Sequence, residues 1–234
     1  MLRTSSQRVL RQGFELFWLT RLQYTSQVID SASTTEFQKR DYSSFFTKMG
    51  GEKDLNVVQN VDLTRYQGRW YEIASIPSRF QPSTGTNSRA TYALQEDQTV
   101  DVLNETWVDG KRSYIHGKAW KADPASPDAK LKVRFMVPPF LPIIPVTGDY
   151  WVMKLDDNYQ WALVGVPSRT SLWVLCRTQE MSEETYKELL EHATNEGYDV
   201  SKLHKTEQIP GVGESEGEDT DRAGVWWVKS LFGK

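Results

Sequence analysis

Cysteine, histidine and long apolar runs are scarce in this sequence, and each shortage excludes a class of protein. The single cysteine, Cys176, has no partner within the chain, so we expect no internal disulfide and predict a small buried thiol. The three histidines, at positions 116, 192 and 204, follow no metal-binding spacing. No run approaches the roughly 18 apolar residues of a membrane-spanning helix, which excludes such an anchor.

Net positive charge is also missing. The formal net charge is -3, and the central part of the chain has no basic stripe interleaved with aromatic residues, so nucleic-acid binding is not expected. The sequence contains no Gly-x-Ser-x-Gly motif, no phosphate-binding loop and no dinucleotide fingerprint. We therefore predict no catalytic residue, no metal site and no cofactor.

Aromatic residues, by contrast, are abundant, with nine Trp and ten Tyr. In residues 130–135, apolar and basic side chains alternate strictly, as in a strand with one buried face. Similar runs separated by turn-forming residues lie at 69–76, 88–94, 99–107, 113–120, 150–155, 160–165 and 172–176. Eight such strands in succession predict an all-β fold, an eight-stranded antiparallel up-and-down barrel, with a two-sheet sandwich as the alternative.

One α-helix is predicted after the last strand. Ser182 is a favourable N-cap, and two glutamates follow it in the first turn. A single apolar stripe then runs through Tyr186, Leu189, Leu190 and Ala193. Gly197 is placed to end the helix. We expect this helix to pack on the outer wall of the barrel.

Composition divides the chain into three regions. Residues 1–54 are rich in hydroxyl side chains and arginine, which is typical of a transit peptide, with a disordered extension or a start-codon artefact upstream of Met49 as the alternative. Residues 55–206 carry the barrel and the helix. Residues 207–234 hold an acidic linker, which we expect to be disordered through Asp221, and then an apolar C-terminal tip.

Three motifs in order resemble the signatures of the lipocalin family. They are Gly68-Arg69-Trp70 in the first strand, Gly148-Asp149-Tyr150-Trp151 in the sixth, and the run from Leu172 to Arg177 at the eighth. The resemblance implies that Trp70 plugs the closed end of the barrel and that Arg177 stacks on its ring. Gly68 then allows the close backbone approach that this arrangement needs. These three residues are interpreted as structural.

The resemblance extends over residues 54–205 and is closest to the plant temperature-induced lipocalins, in the branch that also contains apolipoprotein D and bacterial outer-membrane lipocalin. It implies a stress-linked protein that associates with membranes and protects their lipids. The implied location is cytoplasmic, peripheral at the plasma membrane. The first 48 residues depart from the family pattern, so a mitochondrial or plastid location is the alternative if they are a transit peptide. The sequence predicts no oligomeric state.

A lipocalin barrel implies a cavity for a small hydrophobic ligand such as a fatty acid, lysophospholipid, sterol or carotenoid. The predicted lining is aromatic: Tyr92, Trp107, Trp120, Phe135, Tyr150 and Trp173. A shift of one residue in register reverses the face of each. Glu72 and Glu105 are also candidates to face inward, as hydrogen-bonded carboxylates. The alternatives are an interaction protein with a filled barrel and a lipocalin-fold enzyme.

Two apolar appendages are predicted to contact membranes. One is the proline-rich loop between the fifth and sixth strands, formed by Pro138, Pro139, Phe140, Leu141, Pro142, Ile143, Ile144 and Pro145. Its large side chains are costly to expose unless a partner covers them. The other is the C-terminal tip with Trp226 and Trp227, since tryptophan favours the membrane interface. Docking of either element back onto the barrel is the alternative.

Overall fold

Alternating apolar and polar residues build the strands of the computed structural model, which describes residues 54–77, 85–137, 144–212 and 222–223. The eight principal strands are β1 Gly68–Ile76, β2 Thr86–Leu94, β3 Val100–Val108, β4 Lys111–Lys121, β5 Lys130–Val137, β6 Ile144–Leu155, β7 Trp161–Gly165 and β8 Leu172–Cys176. A four-residue helix, α1 (Leu63–Tyr66), precedes them, and Asp62 caps it by accepting from the backbone of Thr64.

Each principal strand pairs with its neighbours in an antiparallel ladder, and the ring is closed by the pairing of β1 with β8 and of β4 with β5. The turns are sharp. Asp109 and Gly110 join β3 to β4 with positive φ at both positions, as a two-residue hairpin turn requires. The structure is therefore the predicted closed eight-stranded barrel, and the sandwich alternative is wrong.

The predicted helix is present as α2 (Glu183–Asn195), with Ser182 as its N-cap. Leu189 and Ala193 are fully buried in an apolar cluster that also contains Leu163 and Val174 from the wall of the barrel. Burial of a leucine side chain contributes about 1.5–3 kcal/mol. The apolar stripe read from the sequence thus fixes the helix against the outside of the barrel. Gly197, with φ of +89°, follows its end.

Residues 204–209, here called the strap, fill a gap in the wall that the sequence did not predict. β1 pairs with β2 only over Gly68–Tyr71, beyond which the two strands separate. The short strand β9 (His204–Lys205) pairs with β1 at this point. Further along, the backbone N–H of Asn87 donates to the carbonyl oxygen of Glu207 at 2.8 Å. The strap therefore joins β1 to β2 where they no longer contact each other directly.

The strap corrects the predicted start of the disordered linker. Glu207 and Ile209 fall in the region predicted to be disordered, yet both are hydrogen-bonded to Asn87 of β2. Farther along, the two-residue strand β10 (Arg222–Ala223) pairs in parallel with Ser113 and Tyr114 of β4. The division into three regions otherwise stays a prediction, and residues 1–53 lie outside the described part.

Candidate functional site

The two ends of the barrel differ. The connections β2–β3, β4–β5 and β6–β7 lie at one end together with α1, and this end is closed by packed side chains. The described connections β3–β4 and β7–β8 lie at the opposite end, here called the open end, and residues of the latter line the cavity described below. Access to the interior along the barrel axis is therefore from the open end.

Trp70 and Arg177 lie against each other at the closed end of the barrel. Trp70 is fully buried, and its indole N–H donates to the carbonyl oxygen of Tyr66 at 2.8 Å. The guanidinium carbon of Arg177 lies 3.9 Å from the centroid of the Trp70 ring, a contact that contributes roughly 0.5–2 kcal/mol. Gly68 has φ of +94°, and a Cβ there would lie 3.3 Å from Nη1 of Arg177. Its lack of a side chain is what permits the close approach.

Three tyrosines form the floor of the interior, above Trp70. The hydroxyl of Tyr150 lies 2.8 Å from that of Tyr66 and 3.1 Å from that of Tyr92. The Tyr66 ring stacks on Trp70 with centroids 4.8 Å apart. Burial raises the pKa of Tyr92 to about 12 and raises the pKa of Tyr66 and of Tyr150 well above the usual value. The floor is therefore a cluster of neutral hydroxyls at physiological pH.

Above the floor lies a cavity of about 440 Å³. Its middle section is lined by apolar side chains from five strands: Ala90, Val102, Ala119, Val133, Trp173 and Leu175. Toward the open end, hydroxyl side chains join the apolar lining: Ser88, Thr106, Ser113, Thr170 and Ser171. A volume in this range, with a mostly apolar wall and a few polar groups, is typical of small-molecule sites.

Four of the six predicted lining aromatics border this cavity: Tyr92, Phe135, Tyr150 and Trp173. The structure corrects the other two. Trp107 follows Thr106 and Trp120 follows Ala119, and both of these preceding residues line the cavity, so strand alternation turns the tryptophans to the other face. Ligand binding by the four stays a prediction.

Trp107 and Trp120, whose predicted orientation was wrong, each pack against an arginine. The guanidinium carbon of Arg89 lies 4.9 Å from the Trp107 ring centroid, and that of Arg134 lies 5.0 Å from the Trp120 ring centroid. The physical reason is volume. On β4 the cavity-facing positions are occupied by small or medium side chains such as Ser113, Ile115 and Ala119, because bulky side chains there would fill the cavity.

Glu72 and Glu105 both border the cavity, and both are engaged by other side chains. Glu72 is buried and accepts hydrogen bonds from the hydroxyls of Ser75 and of Thr206 in the strap. Glu105 forms ion pairs with Arg89 and Arg112 at 2.8 and 2.7 Å. This fits the predicted role of hydrogen-bonded carboxylates that hold neighbouring groups in place.

Tyr66 is part of the site, but it was not among the residues predicted from the sequence. This residue lies in a helix of four residues, too short for any periodicity to show. The available signal was Asp62, an N-cap residue six positions before Gly68, where the first strand motif begins. Tyr159 was missed for a similar reason, since it lies in the β6–β7 turn with positive φ, where its hydroxyl accepts from the backbone of Asp62.

Of the predicted membrane-contact residues, Ile144 and Pro145 are described and both are exposed, Ile144 by 54%. They pair with Val137 and Met136, and the latter is a second exposed apolar side chain. The remaining ones, residues 138–143, Trp226 and Trp227, lie outside the described residues. Within the described part, no cluster of three metal-ligating side chains occurs.

No helix within the described ranges is both long enough and apolar enough to cross a bilayer.

Comparison with known proteins agrees with this geometry. The family model for the lipocalin-like domain matches residues 61–208. The chain is 61% identical over 186 residues to temperature-induced lipocalin-1 of Arabidopsis thaliana, covering 80% of this chain and 100% of that protein. It is 39% identical over 161 residues to the outer membrane lipoprotein Blc of Escherichia coli strain K12, covering 68% of this chain and 85% of that one.

Among solved structures, the chain is similar to insecticyanin from the tobacco hornworm Manduca sexta. The TM-score is 0.58 at 20% sequence identity, covering 73% of this chain and 91% of that one. At this identity the likeness supports the shared fold alone.

Proposed function

The chain belongs to the lipocalin family, and on that basis we propose that it binds a small hydrophobic ligand without catalysing a reaction. A fatty acid, lysophospholipid, sterol or carotenoid is the expected class of ligand. The observation that carries the proposal is the cavity of about 440 Å³, with its apolar middle section and one open end. The two carboxylates at its wall are occupied by structural partners, which favours binding over acid–base chemistry.

Removal of apolar surface from water drives this binding. Each Å² of apolar area buried contributes about 25 cal/mol, so a long acyl chain or a sterol ring system gains several kcal/mol before the cost of association. The walls contribute Val102, Val133 and Trp173, which present apolar surface all around the ligand. The shape and the apolar surface of the cavity therefore determine its affinity for a ligand, and its polar groups determine the orientation of the ligand.

We further propose that the open end of the barrel contacts membranes. Met136 pairs with Pro145 and Val137 pairs with Ile144, so the exposed side chains of Met136 and Ile144 lie on opposite faces of the β5–β6 pair, at the open end. Both residues lie within two positions in sequence of residues 138–143, so apolar side chains border the entrance of the cavity. Ligand would then pass directly between the bilayer and the barrel.

The names of two similar proteins support a proposal about the conditions and the location in which this chain acts. One is named for induction by temperature and another is named as an outer membrane lipoprotein. We propose protection of membrane lipids under temperature or oxidative stress, from a cytoplasmic position at the periphery of the plasma membrane. A mitochondrial or plastid position follows instead if residues 1–48 are a transit peptide.

The first test is extraction of the full chain under native conditions, with mass spectrometry of lipids that purify with it. Candidate ligands are then added stepwise while the tryptophan fluorescence of the protein is recorded.

The variant Gly148→Phe fills the cavity, because Gly148 lines it and a Cβ there meets nothing within 4 Å. Thr91→Phe on the opposite face of β2 is the matched control. Saturable binding that only G148F abolishes supports the proposal, and a barrel that takes up none of the four ligand classes overturns it.

Membrane contact is tested by sedimentation with liposomes. The double variant M136S/I144S should bind liposomes at least severalfold more weakly than the unmodified chain. Ile209 is the other large apolar side chain exposed in the described part, and I209S is the control because Ile209 lies beside β2, across the barrel. Equal sedimentation of all three proteins would contradict membrane contact at the open end.

A further inference from the structure

The three floor tyrosines leave one hydrogen-bond donor unused. Each phenol carries one O–H proton, so Tyr66, Tyr92 and Tyr150 bring three donors. Only two hydrogen bonds connect them, both through the hydroxyl of Tyr150, and each bond uses one proton. Whichever way the chain of hydroxyls is oriented, one O–H at the floor of the cavity has no acceptor among the residues that the structure describes. A buried donor without a partner is costly, which makes the floor a site for an acceptor.

The charges around the floor determine which acceptor fits. Burial, with a smaller contribution from the negative charge of Glu72, raises the pKa of Tyr92 to about 12, so the cluster stays protonated and remains a donor. The same buried surroundings disfavour an anionic group at this depth. The charge of Arg177 lowers the pKa of Tyr92, but burial outweighs this effect.

We propose that the floor of the cavity binds an uncharged oxygen acceptor, the carbonyl, ester or hydroxyl oxygen of an otherwise apolar molecule. This assignment rests on the proposed ligand-binding function and specifies the end of the ligand that enters first. An ionised carboxylate or phosphate is excluded from this depth by the cost of removing its charge from water, and stays toward the open end. Neutral ligands thus bind with their oxygen at the floor, and anionic amphiphiles bind in the opposite orientation.

The test compares three probes of equal chain length: pentadecane, its methyl ketone and pentadecanoate. Each displaces an apolar fluorescent probe from the full-length protein at neutral pH. The variant Y66F/Y92F/Y150F removes the hydroxyls and keeps the rings. Tyr114→Phe, on the outer face of β4, is the matched control. We expect the affinity for the ketone relative to the alkane to fall about three- to tenfold in the triple variant, since one buried hydrogen bond is lost.

Two further readouts decide the outcome. Affinity for pentadecane and for pentadecanoate should be equal in the triple variant and the unmodified protein, which also shows that the barrel is intact. The infrared carbonyl stretch of the ketone bound to the unmodified protein should move to lower wavenumber, a measurement that needs no variant. An unshifted stretch, or an unchanged ratio of ketone to alkane affinity, overturns the floor site alone. Failure of all three probes to bind overturns the proposed function and this inference with it.

Discussion

Arg177 holds the first and last strands of the barrel together through Trp70. Its guanidinium carbon lies 3.9 Å from the Trp70 ring centroid. Its nitrogens donate to the carbonyl oxygens of Arg65, Tyr66, Arg69 and Tyr159. One side chain therefore satisfies the backbone groups of α1, of β1 and of the β6–β7 turn at once.

Replacement of Arg177 should lower stability sharply. Arg177→Met keeps apolar contact with the Trp70 ring but removes the guanidinium donor to the carbonyl groups of Arg65, Arg69 and Tyr159. The carbonyl of Tyr66 keeps the indole N–H of Trp70. We expect a loss of about 3 kcal/mol in the free energy of unfolding. Urea denaturation followed by circular dichroism measures it. Arg134→Met is the matched control, because Arg134 covers the Trp120 ring at 5.0 Å on the exposed face, where such contacts contribute about 0.5–1 kcal/mol. Equal losses in both variants would contradict the role of Arg177.

Glycine at position 68 is required for two separable reasons. Gly68→Ala combines a positive φ with a Cβ only 3.3 Å from Arg177, whereas Gly110→Ala has a positive φ and open space. We expect G110A to cost about 1 kcal/mol from backbone strain and G68A to cost about 2–3 kcal/mol. Thermal unfolding of the two variants gives the difference. If G68A proves no worse than G110A, the contact with Arg177 contributes nothing.

Stability should depend on pH through Glu105. Burial alone raises the pKa of this carboxyl, but hydrogen bonds and charge from Arg89 and Arg112 outweigh it and bring the pKa below its usual value of 4.5. The folded state therefore binds fewer protons than the unfolded state in this range. The stabilisation is complete above about pH 4.5 and is lost as pH falls through the lowered pKa.

The variant Glu105→Gln checks this prediction. It should lose about 3 kcal/mol at neutral pH, because two buried or half-buried guanidinium groups lose their counter-charge. The difference from the unmodified protein should narrow as the pH falls below 4.5. Glu188→Gln is the control, since its pair with Lys154 is exposed and contributes little. A difference that stays constant between neutral and acid pH would rule out this linkage.

Asn87 should control attachment of the strap. Its φ is 50°, and its side-chain oxygen accepts from the backbone N–H of Ile209 at 2.6 Å. Asn87→Ala removes this bond and adds strain at a positive φ, whereas Asn87→Gly removes the bond only. We expect both variants to lose hydrogen-exchange protection at Ile209, and N87A to be about 1 kcal/mol less stable than N87G. Retained protection in both would place the anchor of the strap elsewhere.

The sequence predicted the strands well because alternation is a local property. All eight predicted runs overlap the observed strands, and residues 172–176 match β8 at both ends. β6 was predicted six residues too short, since Ile144 and Pro145 were interpreted as part of the loop. The prolines of residues 138–145 predicted a loop, but Pro145 pairs with Met136 and is part of the strand.

Orientation and distant contacts were harder to predict. Both faces of β4 carry plausible core residues, with Ile115 on one face and Trp120 on the other, and aromatic content favoured the wrong face. The requirement for an open cavity selects the smaller side chains, but that requirement appears only in three dimensions. The strap could not be predicted either, because Thr206 meets Glu72 across 134 positions of sequence.

The strap also sets the order in which the protein is completed during its synthesis. The wall between β1 and β2 stays incomplete until residues 204–209 have left the ribosome, after all eight principal strands. Ala74 pairs with Lys205, and the backbone N–H of Asn87 donates to Glu207, so both strands wait for the strap at these positions. In chain order this is the last part of the barrel wall to be completed.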